Sequence, residues 1–354
     1  MKKAIALLMV CSCLAALAGC RNGGTPTPGS SSSAPETSAE SQGAAAVGDY
    51  FPIMNDTNYV YQGAGSEYAS YKVYNDYTSS TQVQQRIDNG GTVIAKVISI
   101  SDGKLVQTFS RGETYHRQNY MGETGGEEIL LMEPIVKGTT WTLEDGSTRT
   151  ITDLSVPVST PSGDYDAIEV TTEGTDNAAK EYYAKGVGLV RAVYPTGDTE
   201  VSSTLGSIQK NVPLTQTVRL FYPDAEGKKI VYEDRSVEFR TNDSTGDVLA
   251  AAYKEAPAGT MAVLLGDTEI KSLALGDDGV AKIDLSQAFL TEIKKLPESE
   301  EDILQSIADT VGYYFGAGKV TLTVEGKPYD SGKVTLDEGE TLKTDFTGAT
   351  LFSA

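Results

Sequence analysis

Two rhythms of apolar and polar positions divide the chain. From Gly48 to about Lys210 the apolar residues come in short β-branched runs separated by Gly-rich turns, and no long stretch repeats every 3.6 residues. Val93–Ile100 is such a run, and it ends at Asp102-Gly103, a dipeptide suited to a tight hairpin turn. Leu105–Phe109 follows as the partner strand. Ile129–Met132, Thr148–Leu154, Ala167–Thr171, Glu181–Ala184 and Leu189–Tyr194 read as further strands. This series predicts an antiparallel all-β domain, barrel or sandwich, over residues 48–210.

From about Val212 the pattern becomes mixed. Val218–Tyr222 reads as a strand stopped at Pro223-Asp224, and Lys229–Phe239 as its return. Ser244 is placed to cap a helix running to Ala256, with Val248, Leu249, Ala252, Tyr253 and Ala256 on one face, ended by Pro257. Glu269–Leu275 and Val280–Leu285 form a hairpin around Asp277-Asp278-Gly279, and a short helix spans Ser286–Lys295. A helix capped by Ser299, with Asp302 in its first turn, is expected to bury Ile303, Leu304, Ile307, Ala308, Val311, Tyr314 and Phe315. Gly316 and Gly318 release it into the strand Val320–Val324. Residues 211–354 are thus expected to form an α+β domain, folding independently of the first because no cysteine joins them.

The start of the chain has a different character. Lys2-Lys3 precede an apolar core from Ala4 to Leu17, too short to remain as a membrane-spanning helix. Leu17-Ala18-Gly19-Cys20 then resembles the lipobox of bacterial lipoproteins. The resemblance implies a signal peptide over residues 1–19, cleavage before Cys20 and a diacylglyceryl group on its thiol. Burial of acyl chains contributes about 0.8 kcal/mol per CH₂, so two chains make a lasting anchor. Residues 20–47 hold little but Gly, Ser, Thr, Pro and Ala, which predicts a disordered linker after the lipidated cysteine. A coil of that length has an r.m.s. span of roughly 30 Å. The expected location is therefore the outer side of the cell membrane.

Charge and cysteine content narrow the functions. The formal net charge is −20, and a leader carrying Lys2 and Lys3 would take the mature chain near −22. Such a chain lacks the basic face that nucleic acid requires. The three cysteines are Cys11, Cys13 and Cys20, so the mature protein would hold neither a disulfide nor a free thiol.

Several C-terminal segments, in order, resemble the GerMN domain of spore germination proteins: Val218–Asp224, Val248–Pro257, Gly279–Ser286 with Phe289-Leu290, and Val320–Pro328. The resemblance covers about Val212 to Asp337. Ala256-Pro257 stands where family members often carry Gly-Pro, and one copy is present where some members carry two. It implies an α+β module with helices on one sheet face, similar to ring-building modules, and it transfers no catalytic residue. The region from Asp49 to Lys210, including Tyr182–Val190, looks like a segment of other Gram-positive lipoproteins.

The remaining candidates favour structure over chemistry. His116 is the single histidine and has no Gly-x-Ser-x-Gly elbow to serve; it is expected on the surface or on a strand face. Trp141 is expected as a core anchor. Tyr59, Tyr61, Tyr68, Tyr71, Tyr74 and Tyr77 read as a half-buried sheet face, or else as a groove for glycan or peptide. Glu127 and Glu128 face opposite ways on a strand, and an i,i+2 pair such as Asp164/Asp166 is expected by chance in so acidic a chain, so neither pair marks glycosidase chemistry. No catalytic, cofactor-binding or metal-binding residue is assigned, and Cys20 is the lipidation residue. The expected function is non-catalytic partner binding or self-assembly in the envelope, linked to sporulation, germination or wall processes. A carrier or sensor whose β domain holds a glycan, peptide or lipid is the alternative, and a wall hydrolase comes last.

Overall fold

The structure, a computed structural model, describes residues 45–174, 178–196, 199–296 and 299–352. Twelve strands form the first domain: β1 (Thr57–Ala64), β2 (Tyr71–Thr78), β3 (Gln82–Asp88), β4 (Val93–Ser101), β5 (Lys104–Arg111), β6 (Glu128–Met132), β7 (Thr140–Thr142), β8 (Thr148–Thr160), β9 (Gly163–Glu173), β10 (Ala178–Ala184), β11 (Gly188–Thr196) and β12 (Thr199–Lys210). Their order in the single sheet is β6-β5-β4-β3-β2-β1-β12-β11-β10-β9-β8-β7. Every neighbour is therefore consecutive in sequence except β1 and β12, which meet antiparallel from Thr57↔Lys210 onward. The sheet is a meander bent into a nearly closed barrel, left unpaired between β6 and β7.

Side chains staple that seam. Trp141 Nε1 and Arg149 Nη1 both donate to the Ile129 carbonyl, at 3.0 and 2.8 Å, and Arg149 Nη2 reaches Glu128 Oε1 at 2.6 Å. Trp141 is buried as well, the core anchor expected of it. Alternation along the strands fills the interior: Val83, Ile98, Leu105, Leu131, Ile151 and Ile168 pack in one cluster, Tyr59, Tyr61, Val73 and Leu205 in another. The β4–β5 turn has Asp102 at φ 50° and Gly103 at φ 66°, the left-handed pair that a tight hairpin requires.

Order begins earlier than residue 48. A 3-10 turn covers Val47–Tyr50, Val47 is buried in the first cluster, and its N–H donates to Glu133 Oε1 at 2.9 Å. One apolar side chain and one hydrogen bond thus bring the end of the expected linker into the folded domain.

The second domain runs β13 (Leu214–Pro223), β14 (Ile230–Phe239), α1 (Thr245–Lys254), β15 (Ile270–Leu275), β16 (Ala281–Leu285), α2 (Ala288–Ile293), α3 (Glu300–Phe315), β17 (Lys319–Val324), β18 (Lys327–Pro328), β19 (Leu342–Lys343) and β20 (Thr350–Leu351). One sheet has the order β13-β14-β20; the other has β15-β16-β17-β18 with β19 also on β17. Strands β16 and β17 are parallel, joined through α2 and α3. Helix α3 packs against β13 of one sheet and β16 and β17 of the other, so one core serves both. Its buried residues include Ile303, Leu304, Ile307, Ala308, Val311 and Phe315 of the predicted stripe, Tyr314 is half-buried, and Gly316 ends the helix at φ 68°. The outer edge of β13 is sealed at Phe221: its N–H donates to Thr310 Oγ1 at 2.9 Å and its carbonyl accepts from Tyr253 Oη at 2.6 Å.

Candidate functional site

The connection 112–127 between β5 and β6 folds back across the outer face of β3 and β4. Tyr120 packs on Ala95 and Val97. Gln84 accepts from Tyr120 N at 2.6 Å and donates to Gln118 O at 2.8 Å, and Arg86 donates to Thr114 O and His116 O at 3.0 and 2.8 Å. The connection thereby holds Arg117 between the two domains.

Arg117 is fully buried. Its guanidinium lies 4.2 Å from the Tyr77 ring centroid and 5.0 Å from that of Phe239. Nη2 donates to Asp76 O at 2.8 Å and Arg240 O at 3.1 Å; Nη1 donates to Tyr77 Oη at 3.0 Å and to the Asp243 carbonyl. Its backbone N–H donates to Tyr314 Oη at 2.9 Å, and its carbonyl accepts from Thr245 Oγ1 at 3.1 Å. One carboxylate sits between two arginines here: Asp76 is 3.0 Å from Arg86 Nη2 and 3.7 Å from Arg117 Nε. For Arg86, the Asp76 charge and hydrogen bond outweigh the larger single effect of desolvation, which alone would lower its pKa, and the net pKa is raised.

His116 is buried rather than on the surface or a strand face. Nε2 lies 3.0 Å from Tyr120 Oη and the ring meets Phe315 edge-on at 4.9 Å. Burial, with Arg86 and Arg111 nearby, lowers its pKa to about 4. The reason for the difference is the second domain, whose α3 covers what would otherwise be solvent-facing loop.

Further bonds knit the same boundary. Asp56 Oδ1 accepts from Thr241 N at 2.9 Å and its Oδ2 from Arg240 Nη1 at 3.0 Å; Asn242 N donates to Asp76 O at 3.0 Å. Tyr74 Oη lies 3.2 Å from both Val212 O and Phe239 O. The boundary between the two expected units carries a shared, buried polar interface, which neither the change of rhythm near Lys210 nor the absence of cysteine discloses.

Between the domains a cleft of about 350 Å³ opens, with Tyr77 and Asn119 on one side and Asn242, Thr245 and the strand β15 on the other. A second cleft of about 280 Å³ lies beside the stacked rings of Tyr61 and Tyr71, 4.5 Å apart, with Lys72 and Asp88 at its rim. The six tyrosines do not share one face. Tyr59, Tyr61 and Tyr71 pack with the barrel interior, Tyr74 and Tyr77 face the second domain, and Tyr68 is exposed.

The acidic pairs are engaged locally. Glu128 holds Arg149, Asp164 accepts from Ser159 Oγ at 2.6 Å and Asp166 from Ser155 Oγ at 2.8 Å. Among the described residues no cluster of His, Cys, Asp or Glu is arranged to hold a metal ion, and no helix is long and apolar enough to cross a membrane. Cys20 lies outside the described residues.

Residues 219–330 match the family model of the Germane domain, described as sporulation and spore germination, and the chain carries a GerMN-like domain. Among solved structures, it is similar to the tandem GerMN domains of the sporulation protein GerM from Bacillus subtilis, at 25% identity over 32% of this chain and 40% of that one, with a TM-score of 0.26. The first GerMN domain of the same protein matches at 24% identity over 39% of this chain and 94% of that one, with a TM-score of 0.26. This chain therefore spans 40% of the tandem structure's length. No curated protein matches it at a significant level.

Proposed function

We propose that the chain is a lipid-anchored, extracytoplasmic, non-catalytic protein that presents its GerMN-like domain to an envelope partner or to further copies of itself, in sporulation, germination or wall processes. The observation that carries this reading is the Arg117 network. This buried polar cluster joins two domains, and both terminal nitrogens of Arg117 are spent within it, while Nε lies 3.7 Å from Asp76 without a hydrogen bond. A hydrolase instead needs an acid, base or nucleophile with a tuned pKa open to a cleft. His116 is shielded and held neutral, which suits packing and not proton transfer to a substrate.

The barrel then serves as a rigid pedestal. Large side chains such as Leu105, Leu131, Ile151, Ile168 and Leu205 fill it. The cleft at Tyr61 and Tyr71 favours a second reading, a small polar or glycan ligand held by the β domain, since the half-buried Tyr71 offers apolar surface there and Lys72 and Asp88 offer hydrogen bonds.

Crosslinking in intact cells followed by purification of the full chain tests the first reading. The expected result is a discrete higher-mass complex that depends on the GerMN-like domain. Release of muropeptides from purified peptidoglycan, abolished by a single Asp or Glu substitution, would replace it with the hydrolase.

A further inference from the structure

The cleft between the domains exposes a strand edge. Strand β15 is the last strand of its sheet and, among the described residues, pairs only with β16. At its C-terminal end the outward main chain is already gripped from the other domain: Leu275 N–H donates to Gln118 Oε1 at 2.7 Å, and Gln118 Nε2 donates to Leu275 O at 3.4 Å. A side-chain amide here occupies the place of a neighbouring strand's peptide group. At the other end, Gly246 of α1 lies against Ile270, where a Cβ would come within 2.9 Å of the Ile270 carbonyl oxygen.

Between these two stops the edge is bare. Pairing of β15 with β16 is regular from Ser272 to Leu275, so Leu273 turns its N–H and C=O to the same side as Leu275. Among the described residues, no group bonds those atoms. They face the cleft of about 350 Å³, and Lys271 and Ser272 beside them are exposed. At about 3.3 Å rise per residue the open stretch takes three or four residues of extended chain.

We propose that this groove binds an extended polypeptide segment of a partner protein, which adds as an outer strand to β15 through the main chain of Leu273. Gln118 supports that occupant, since the groove continues an interface in which the same edge already pairs with an amide. The walls define its chemistry. Asn119, Asn242 and Thr245 are polar and uncharged, while the charges present are engaged: Lys271 pairs with Glu325, and Asp243 Oδ2 accepts from Arg240 N at 2.7 Å. The segment is therefore uncharged, with small or hydroxyl-bearing side chains, and its main chain supplies most of the binding.

This inference rests on the reading of the chain as a partner-binding protein, and the two fail separately. The experiment uses the full chain carrying Cys20→Ser and the capped peptide Ac-Ser-Val-Thr-Val-Thr-NH₂, with amide hydrogen exchange as the readout. The expected result is exchange at Leu273 slowed about tenfold by saturating peptide. Leu273→Pro should abolish binding, since proline removes the outward N–H yet is tolerated on an edge strand. Asn119→Trp should also abolish it, by filling the groove from the opposite wall, and circular dichroism verifies that each variant is folded. No binding at millimolar peptide, or equal binding by both folded variants, overturns the proposal. So does protection at Leu273 without peptide that disappears when residues 21–44 are deleted, because the occupant would then be this chain's own segment. Crosslinked complexes that survive Leu273→Pro would remove the groove and leave the wider function standing.

Discussion

Asp76 and Arg117 face each other across 3.7 Å with both side chains wholly shielded from solvent, and the terminal nitrogens of Arg117 bridge Asp76 O and Tyr77 Oη of one domain to Arg240 O and Asp243 O of the other. Asp76 is also the partner of Arg86, at 3.0 Å. Removing its charge leaves two buried arginines side by side, and breaking one partner of such a cluster typically costs about 3–5 kcal/mol. Asp76→Asn is therefore expected to lower the stability of the full chain by that amount in chemical denaturation. A fragment starting at Val212 is expected to be less stable than the same domain in the whole chain, because Arg240 O and Asp243 O lose their donor. A fragment as stable as the intact chain, or an Asp76→Asn variant without loss, would show that the interface is incidental.

The pH dependence of stability has one contribution from His116. Its pKa is lowered to about 4 when folded, against 6.5 when unfolded, so between those values the unfolded chain binds the extra proton. Stability from this group is thus present above pH 6.5 and lost as pH falls toward 4, by up to about 3 kcal/mol. Urea titrations at intervals from pH 7.5 to 4 are expected to show that slope, and His116→Gln to flatten it. An unchanged slope in the variant would mean that the imidazole is not the group that titrates.

Asp309 acts in the opposite sense. It is fully buried on α3; Oδ1 accepts from Asp345 N at 2.7 Å and from Gln305 Nε2 at 2.9 Å, and Oδ2 has no partner. Burial raises its pKa to about 6. The folded chain therefore holds the extra proton between 3.8 and about 6, and stability falls as pH rises through that window. Asp309→Asn keeps the accepting oxygen and removes the charge. It is expected to stabilise the protein at pH 8 by about 1–3 kcal/mol and to have little effect below pH 4. Equal effects at both pH values would contradict a titrating carboxyl.

How far the sequence discloses this fold depends on which face of an element meets water. Helix α3 is legible because Ile303, Ile307 and Val311 repeat at helical spacing and all go inward. Strand β3, Gln82–Asp88, is not, because Gln84 and Arg86 point to its outer side and normally mark a solvated face. That side is covered twice, by the 112–127 connection and then by the second domain, so polar residues became interior. His116 and Arg117 sit in a connection without periodicity, and the second-domain carbonyls that Arg117 binds lie more than 120 residues away along the chain. The groove beside β15 is equally hidden, since an unpaired edge is a property of strand order and not of composition.

The last structural prediction concerns the C-terminal strap. Residues 342–352 cross α3 before β20 joins β14, and Gly312 makes room for them: a Cβ there would stand 2.1 Å from Thr344 Cγ2 and 2.8 Å from Ala317 O. The backbone carbonyl cannot yield as a side chain would, so Gly312→Ala must displace the strap or the end of the helix. Overpacking of this kind typically costs about 1–3 kcal/mol. The variant is expected to unfold at lower denaturant concentration, with faster exchange of the Asp345 amide that Asp309 otherwise holds. Thr344→Ser removes the nearer clash and leaves the carbonyl contact, so the double variant should recover part of the loss. A Gly312→Ala chain of undiminished stability, with Asp345 still protected, would show that the strap rests elsewhere.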